Sequence, residues 1–159
     1  MAQQMVMYDQ EFQQISAVCD RLAREASAKV VFLVDKNGQL IATHGGENLD
    51  TTSLASLTAG NIAATGGIAK LIDEKEFSQI FHEGQRDNVH INIVGGRVIL
   101  VVIFDNRSSL GLVRLRVKKA SEELSKIFDL LLKKADQPGA AESPFAEISD
   151  EDIDKLFTD

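Results

Sequence analysis

The chain of 159 residues has little of several residue types. It contains no Trp, one Tyr and one Cys. A single cysteine cannot form a disulfide within the chain, which favours a reducing compartment. The scarcity of Trp and Tyr disfavours a nucleic-acid partner, because single strands bind largely by stacking their bases on aromatic side chains.

Long apolar runs and targeting signals are also absent. No window approaches the ~18 uninterrupted apolar residues of a membrane-spanning helix. The N-terminus, MAQQMVMYDQE, lacks the basic region and apolar run of a signal peptide. We therefore expect a cytoplasmic protein that does not insert into membranes.

Acidic residues are concentrated at the C-terminus. The net charge is −7, and residues 136–159 contain eight acidic residues against one basic residue, Lys155, so this segment accounts for all of it. The Pro- and Gly-containing stretch 137–144 is typical of a linker. We expect a domain over residues 1–135, followed by an acidic linker and partner-binding segment over 136–159.

Hydrophobic periodicity predicts three helices and five strands. The predicted helices are 5–27 (apolar stripe Met5, Tyr8, Phe12, Ile15, Cys19, Leu22, Ala26), 51–72 and 118–135. The predicted strands are 29–35, 39–43, 89–94, 97–104 and 110–117, and residues 73–88 are assigned to a short turn of helix and a loop. The order α-β-β-α-β-β-β-α plus a C-terminal tail indicates an α+β fold with a five-stranded antiparallel sheet.

The helix predicted over 51–72 has no charge between Asp50 and Lys70, although a solvent-facing helix normally has charged residues on its outer face. A helical wheel predicts a core stripe of Leu54, Leu57, Ala64, Ile68, Leu71 and Ile72. The other side is composed of small residues: Ala55, Ser56, Ala59, Gly60, Ala63, Gly66 and Gly67. Such a face permits the close approach of another backbone. A second chain or, alternatively, a loop of the same chain would cover it.

The C-terminal segment contains five large apolar residues among its acids: Phe145, Ile148, Ile153, Leu156 and Phe157. It is too short to form a stable isolated helix. A disordered solubilising tail is one interpretation. A peptide that folds on a partner is the other, and the apolar residues favour it.

No catalytic site is apparent in the sequence. There is no phosphate-binding glycine motif, and His44, His82 and His90 lack the spacing of metal ligands. We expect His90 to face solvent from its strand and Cys19 to be a core residue. Arg86, Arg97 and Arg107 lie in or beside loops, and nothing marks one of them as an arginine finger. We expect no cofactor and no enzymatic activity.

Four stretches resemble the Roadblock (dynein light-chain) family, and in particular its bacterial members. They are KVVFLVDKNGQLIA, DTTSLASLTAGNIAATGGIAKLI, VGGRVILVVIFDNRSSLGLVRLRVKKA and SPFAEISDEDID. The resemblance implies a profilin-like fold and a homodimer that activates the Ras-like GTPase MglA in bacterial cell polarity and motility. It implies two chains per GTPase near the switch loops and localisation to a cell pole. It also implies hydrolysis without an arginine finger and a C-terminal segment that docks on MglA and modulates nucleotide exchange.

The resemblance places partner contacts on helix 51–72, chiefly at Ala63, Ala64, Gly67 and Ile68, with Ala55 and Ala59 on the small-residue face. Ala64 and Ile68 conflict with the wheel, which puts them in the core. Two other functions remain open. A polarity scaffold would bind the GTPase irrespective of its nucleotide, and a small-ligand sensor would need a polar cavity.

Overall fold

The computed structural model of the chain describes residues 9–135. Within them, three helices and five strands follow in the expected order. They are α1 (Asp9–Glu25), β1 (Val30–Asp35), β2 (Leu40–His44), α2 (Thr51–Leu71), β3 (Gln79–Glu83), β4 (Asn88–Val94), β5 (Val98–Phe104) and α3 (Leu110–Ala135). Met5 and Tyr8 of the expected first stripe lie outside the described residues.

The five strands form one sheet in the order β2-β1-β5-β4-β3, and every neighbouring pair is antiparallel. The β1–β2 hairpin turns at Gly38, whose φ of 91° favours glycine. The Asp35 carboxylate accepts hydrogen bonds of 2.9 Å from the backbone N–H groups of Asn37 and Gln39 in this turn. The antiparallel α+β fold is confirmed.

The central strands β1 and β5 are buried on both faces. Val31, Leu33 and Leu100 point towards α1 and α3, whereas Phe32 and Val101 point towards α2. The sheet therefore lies between two layers, with α1 and α3 on one face and α2 on the other.

Residues 79–83 form strand β3, so the expected turn of helix and loop is wrong there. Ile80 packs in the cluster beneath α2, whereas Phe81 lies on the opposite face, with its ring centroid 6.2 Å from that of Phe104. Neighbouring residues point to opposite faces in a strand. The helical spacing of Phe77, Ile80 and Phe81 involved too few residues to distinguish a helix from a strand.

Residues 110–117 form the first turns of α3, so the strand expected there is wrong. The Ser109 hydroxyl caps the helix by accepting a hydrogen bond of 3.2 Å from the Leu112 N–H. Val113 and Val117 are buried four residues apart on one helix face, whereas Leu115 is 62% exposed. The same residues also matched the alternating pattern of a strand, because positions 113 and 117 lie on one face of a strand as well as on one face of a helix.

Helices α1 and α3 are joined along their length by three ion pairs: Arg21–Glu123, Arg116–Glu25 and Lys134–Glu11. Cys19 is buried in their shared core, as expected, and burial raises the pKa of its thiol to about 12. None of the helices in residues 9–135 combines the length and apolarity needed to cross a bilayer.

Candidate interaction surface

Helix α2 is capped by a carboxylate at its N-terminus, and two of its hydroxyls bond within the helix. The Asp50 carboxylate caps the helix by accepting hydrogen bonds from the Ser53 N–H at 3.1 Å and from the Ser53 hydroxyl at 2.6 Å, which lowers the pKa of Asp50. Within the helix, the Thr58 and Thr65 hydroxyls donate to the carbonyls of Leu54 and Asn61 at 2.6 and 2.9 Å. Neither hydroxyl therefore needs a partner on the helix surface.

The inner side of α2 packs on the sheet through Ile62 and several smaller residues. Ala55 and Ala69 are buried, together with Thr58 and Ile62. Ala55 and Ile62 belong to the cluster that includes Phe32 of β1. Small side chains let the helix backbone lie close to these larger strand residues.

The outer side of α2 exposes three of the five Leu and Ile residues of the helix. Leu57 is 71% exposed, Ile68 54% and Leu71 87%. We call the exposed set Leu57, Ala63, Ala64, Gly67, Ile68 and Leu71 the α2 outer face. Leu57, Ile68 and Leu71, together with Ile72, were expected in the core, and that expectation is wrong. The wheel assumed that the side with most Leu and Ile residues faces the sheet, whereas the side that does so is centred on Ala55, Ile62 and Ala69.

The glycines of α2 have no packing role within the described chain. A Cβ atom added at Gly60, Gly66 or Gly67 would meet no atom within 4 Å apart from its chain neighbours and the adjacent backbone of α2 itself. An interior glycine costs a helix roughly 1 kcal/mol relative to alanine. Any contact that requires these glycines must therefore come from outside residues 9–135 of this chain.

The expected site residues divide between the two sides of α2. Ala63, Ala64, Gly67 and Ile68 lie together on the α2 outer face, which removes the conflict over Ala64 and Ile68. Ala59 is half-buried, and Ala55 is buried against the sheet, so Ala55 offers no side chain to a partner. Phe145, Ile148, Ile153, Leu156 and Phe157 lie outside the described residues.

Leu57 and Leu71 are the members of the α2 outer face that sequence reasoning missed. The available signal was the apolar character of α2 on both sides. A helix that is apolar on all sides is normally buried on all sides. Its large residues can therefore be buried by another chain and need not belong to the core of their own chain.

The apolar surface continues from α2 onto the sheet. Ile80, Val89 and Ile93 are half-buried on the α2 side of β3 and β4. Strand β3 is an edge strand, and no other strand among the described residues pairs with its outer side. An unpaired strand edge next to an apolar face is suited to contact with another protein.

The histidines do not form a reactive site. His90 is 1% exposed beneath α3, so its expected exposure to solvent is wrong. Its Nε2 lies 3.4 Å from Gln79 Oε1, and burial, with the charge of Arg114, lowers its pKa. His44 Nδ1 lies 2.6 Å from Asp20 Oδ1. No cluster of three or more metal-ligating side chains occurs among residues 9–135.

Comparison with known proteins identifies the family. The model of the Roadblock/LC7 domain matches residues 14–104, from α1 to the end of β5. The chain belongs to the Roadblock/LC7 family. The match ends before α3, so the Roadblock sheet and its α2 layer lie entirely within it.

Among Roadblock proteins of known structure, the chain is similar to MglB. MglB of Myxococcus xanthus is 69% identical with a TM-score of 0.76, and the match covers 79% of this chain and 96% of that chain. The gliding protein MglB of Thermus thermophilus is 32% identical with a TM-score of 0.75, over 81% and 98% of the two chains. A third structure, MglB with tetrameric arrangement, is 30% identical with a TM-score of 0.76, over 82% and 99%.

Similarity to a much longer protein is confined to a short part of it. Cell division control protein 53 of Saccharomyces cerevisiae is 33% identical over 114 residues, which cover 70% of this chain. These residues span only 14% of the yeast protein. Its overall role therefore says nothing about this chain.

Proposed function

We propose that the chain forms a homodimer that activates GTP hydrolysis by the Ras-like GTPase MglA in bacterial cell polarity and motility. The similarity to MglB supports this role. The principal structural support is the α2 outer face, an exposed apolar surface on a helix with no acidic residue and a single basic one, Lys70. Such a surface is suited to binding protein, and its side chains offer no acid, base or nucleophile for chemistry.

The first partner of the α2 outer face is a second copy of the chain. A two-fold interface uses the same patch twice, so α2 would pack against α2 of the other copy. Leu57 and Leu71 would then be buried, while Gly67 would let the two backbones approach closely. Self-association is also indicated for the relative whose structure is described as MglB with tetrameric arrangement.

The second partner is MglA. The paired α2 helices of two chains would form one composite surface for one GTPase, next to its switch loops. This mechanism requires no arginine finger. The dimer would bind the hydrolysis-ready conformation of MglA more tightly than the resting one and would thus increase the population of the hydrolysis-ready conformation. The catalytic residues would be those of MglA, so the chain is a regulator and not itself an enzyme.

The C-terminal segment would form a further contact with MglA. Phe145, Ile148, Ile153, Leu156 and Phe157 would dock away from the nucleotide pocket and modulate nucleotide exchange. The complex would act in the cytoplasm and at a cell pole.

GTP turnover by MglA provides the test. We expect the full chain to accelerate turnover by at least tenfold, and Ala63→Arg to abolish most of this by placing a bulky charge on the α2 outer face. Gln14→Arg, at an exposed position of α1 in the opposite layer, is the matched control and should activate normally. A chain lacking residues 138–159 should still fold, and comparison with the full chain would measure the contribution of the tail.

The outcomes separate the proposal from a scaffold role. No acceleration at a saturating concentration of the full chain would rule out GTPase activation. Equal affinity for MglA with GDP and with GTP would instead support a scaffold that binds irrespective of nucleotide.

A further inference from the structure

An open groove of about 640 Å³ lies on the face of the sheet opposite α2, between α3 and strands β3 and β4. We call it the α3 groove. The residues that matter most for its chemistry are Gln79, Asn92, Arg114, Leu115, Lys118 and Glu122. It shares no residue with the α2 outer face.

The rim of the α3 groove has two cations that form no ion pair among the described residues. Arg114 and Lys118 are exposed and lie one helical turn apart on α3. Within residues 9–134 neither forms a salt bridge, whereas Arg116 on the same helix pairs with Glu25. Glu122 is the single acidic residue of the groove. The rim is therefore suited to a ligand that presents carboxylates.

The rest of the groove is polar at its floor and apolar at one side. Asn92 is largely buried, and its side-chain N–H donates a hydrogen bond of 2.7 Å to the Ser121 hydroxyl. Leu115 stands beside this floor with most of its side chain in solvent. A ligand that combines acids with at least one apolar side chain would match both features.

We propose that the chain's own C-terminal segment, residues 149–157, docks in the α3 groove. Asp150, Glu151 and Asp152 would lie beside Arg114 and Lys118, and an apolar residue of the same segment would cover Leu115. The charges are complementary, because residues 136–159 hold the entire net charge of −7 and the preceding domain is neutral.

The length of the chain permits this contact. Ala135, the end of α3, lies 17 residues beyond Lys118, a distance of ~26 Å at the helical rise of 1.5 Å per residue. Residues 136–148 can span up to ~43 Å when extended. The segment therefore reaches the groove of its own chain, and the short connection gives it a high effective concentration there.

Docking in the α3 groove would sequester the segment from MglA until the GTPase competes for it. The docking itself requires no GTPase, so it can be tested on the full chain alone. Its failure would leave the proposed GTPase activation untouched. Because the contacts are largely ionic and exposed, the docking should weaken as salt increases.

Cysteine cross-linking in the full chain provides the test. Cys19 is buried and its pKa is raised to about 12, so introduced cysteines will react selectively. The groove pair is Glu122→Cys with Asp154→Cys, treated with a short bismaleimide. The matched control is Lys133→Cys with Asp154→Cys, since Lys133 is exposed on α3 and closer in sequence to the segment.

A docked segment should give at least fivefold more cross-link within one chain at position 122 than at position 133, and the excess should disappear in 0.5 M salt. An undocked segment would favour position 133, because shorter loops close more readily. Arg114→Glu with Lys118→Glu should abolish the excess, and adding Asp150→Lys and Asp152→Lys should restore it. Equal yields at the two positions, or cross-links only between two chains, would overturn the proposal.

Discussion

His90 is a buried titratable side chain that the proposed interactions do not involve. It lies on β4 beneath α3 with 1% of its surface exposed, and its Nδ1 has no hydrogen-bond partner among the described residues. Burial lowers its pKa below the ordinary value of about 6.5, and the nearby Arg114 lowers it further. The folded chain therefore holds His90 neutral where an unfolded chain would protonate it.

We expect this histidine to make stability fall on mild acidification. Between the lowered pKa and about 6.5 the unfolded state binds a proton that the folded state does not, so the free energy of unfolding decreases as pH falls. The decrease is at most about 1.4 kcal/mol per pH unit. Above this range His90 is neutral in both states and contributes no pH dependence.

Denaturant unfolding between pH 7.5 and 5.5 would measure the effect. His90→Gln should flatten the pH dependence, whatever its effect on absolute stability. His82→Gln, which alters an exposed histidine of β3, is the matched control. Asp50 and Asp105, whose pKa values are lowered from already acidic ordinary values, titrate below this range. Equal slopes in His90→Gln and the wild type would contradict this role.

At the scale of elements, the beginning of α3 provides a sharp test of the fold. A strand would place Val113, Leu115 and Val117 on one face, whereas the helix buries Val117 and exposes Leu115. We expect Val117→Ala to lower the free energy of unfolding by about 1–3 kcal/mol, and Leu115→Ala by less than about 0.5 kcal/mol. Equal losses in denaturant unfolding would favour the strand.

Strands with unambiguous patterns could be predicted from the sequence. The β-branched run of β1, the Asn37-Gly38 turn and the apolar run of β5 gave correct strands and a correct hairpin. Strand β3 could not be predicted, because Gln79, His82 and Glu83 are polar and obscure the alternation of a strand. Its only strand partner among residues 9–135 is β4, with which it forms a hairpin through residues 84–87, and an edge strand of this kind needs few apolar residues.

The orientation of α2 could not be predicted because both of its sides are apolar. The wheel could separate Ala55 from Leu57 but not determine which of them faces the sheet. The alanine does so because close packing on Phe32 requires little bulk. The family resemblance, which placed partner contacts at Ala64 and Ile68, agreed with their exposure better than the periodicity did.

At the scale of the whole molecule, the two helical layers differ in the residues that they present to solvent. The layer of α1 and α3 is joined by ion pairs and presents charged residues to solvent. The layer of α2 presents an uncharged apolar face, which continues onto the edge strand β3. A protein with one charged and one apolar layer is expected to associate through the apolar layer.

Two exposed leucines on opposite layers test this expectation. Leu71 of α2 is 87% exposed and Leu130 of α3 is 56% exposed, so a charge at either position should leave the protomer folded. Leu71→Asp should convert the proposed homodimer to monomers in sedimentation equilibrium, weakening association at least tenfold, because two unpaired carboxylates would be buried at a two-fold interface. Leu130→Asp should remain dimeric. Dissociation by Leu130→Asp alone would move the dimer interface to the layer of α1 and α3 and leave the α2 outer face for the GTPase.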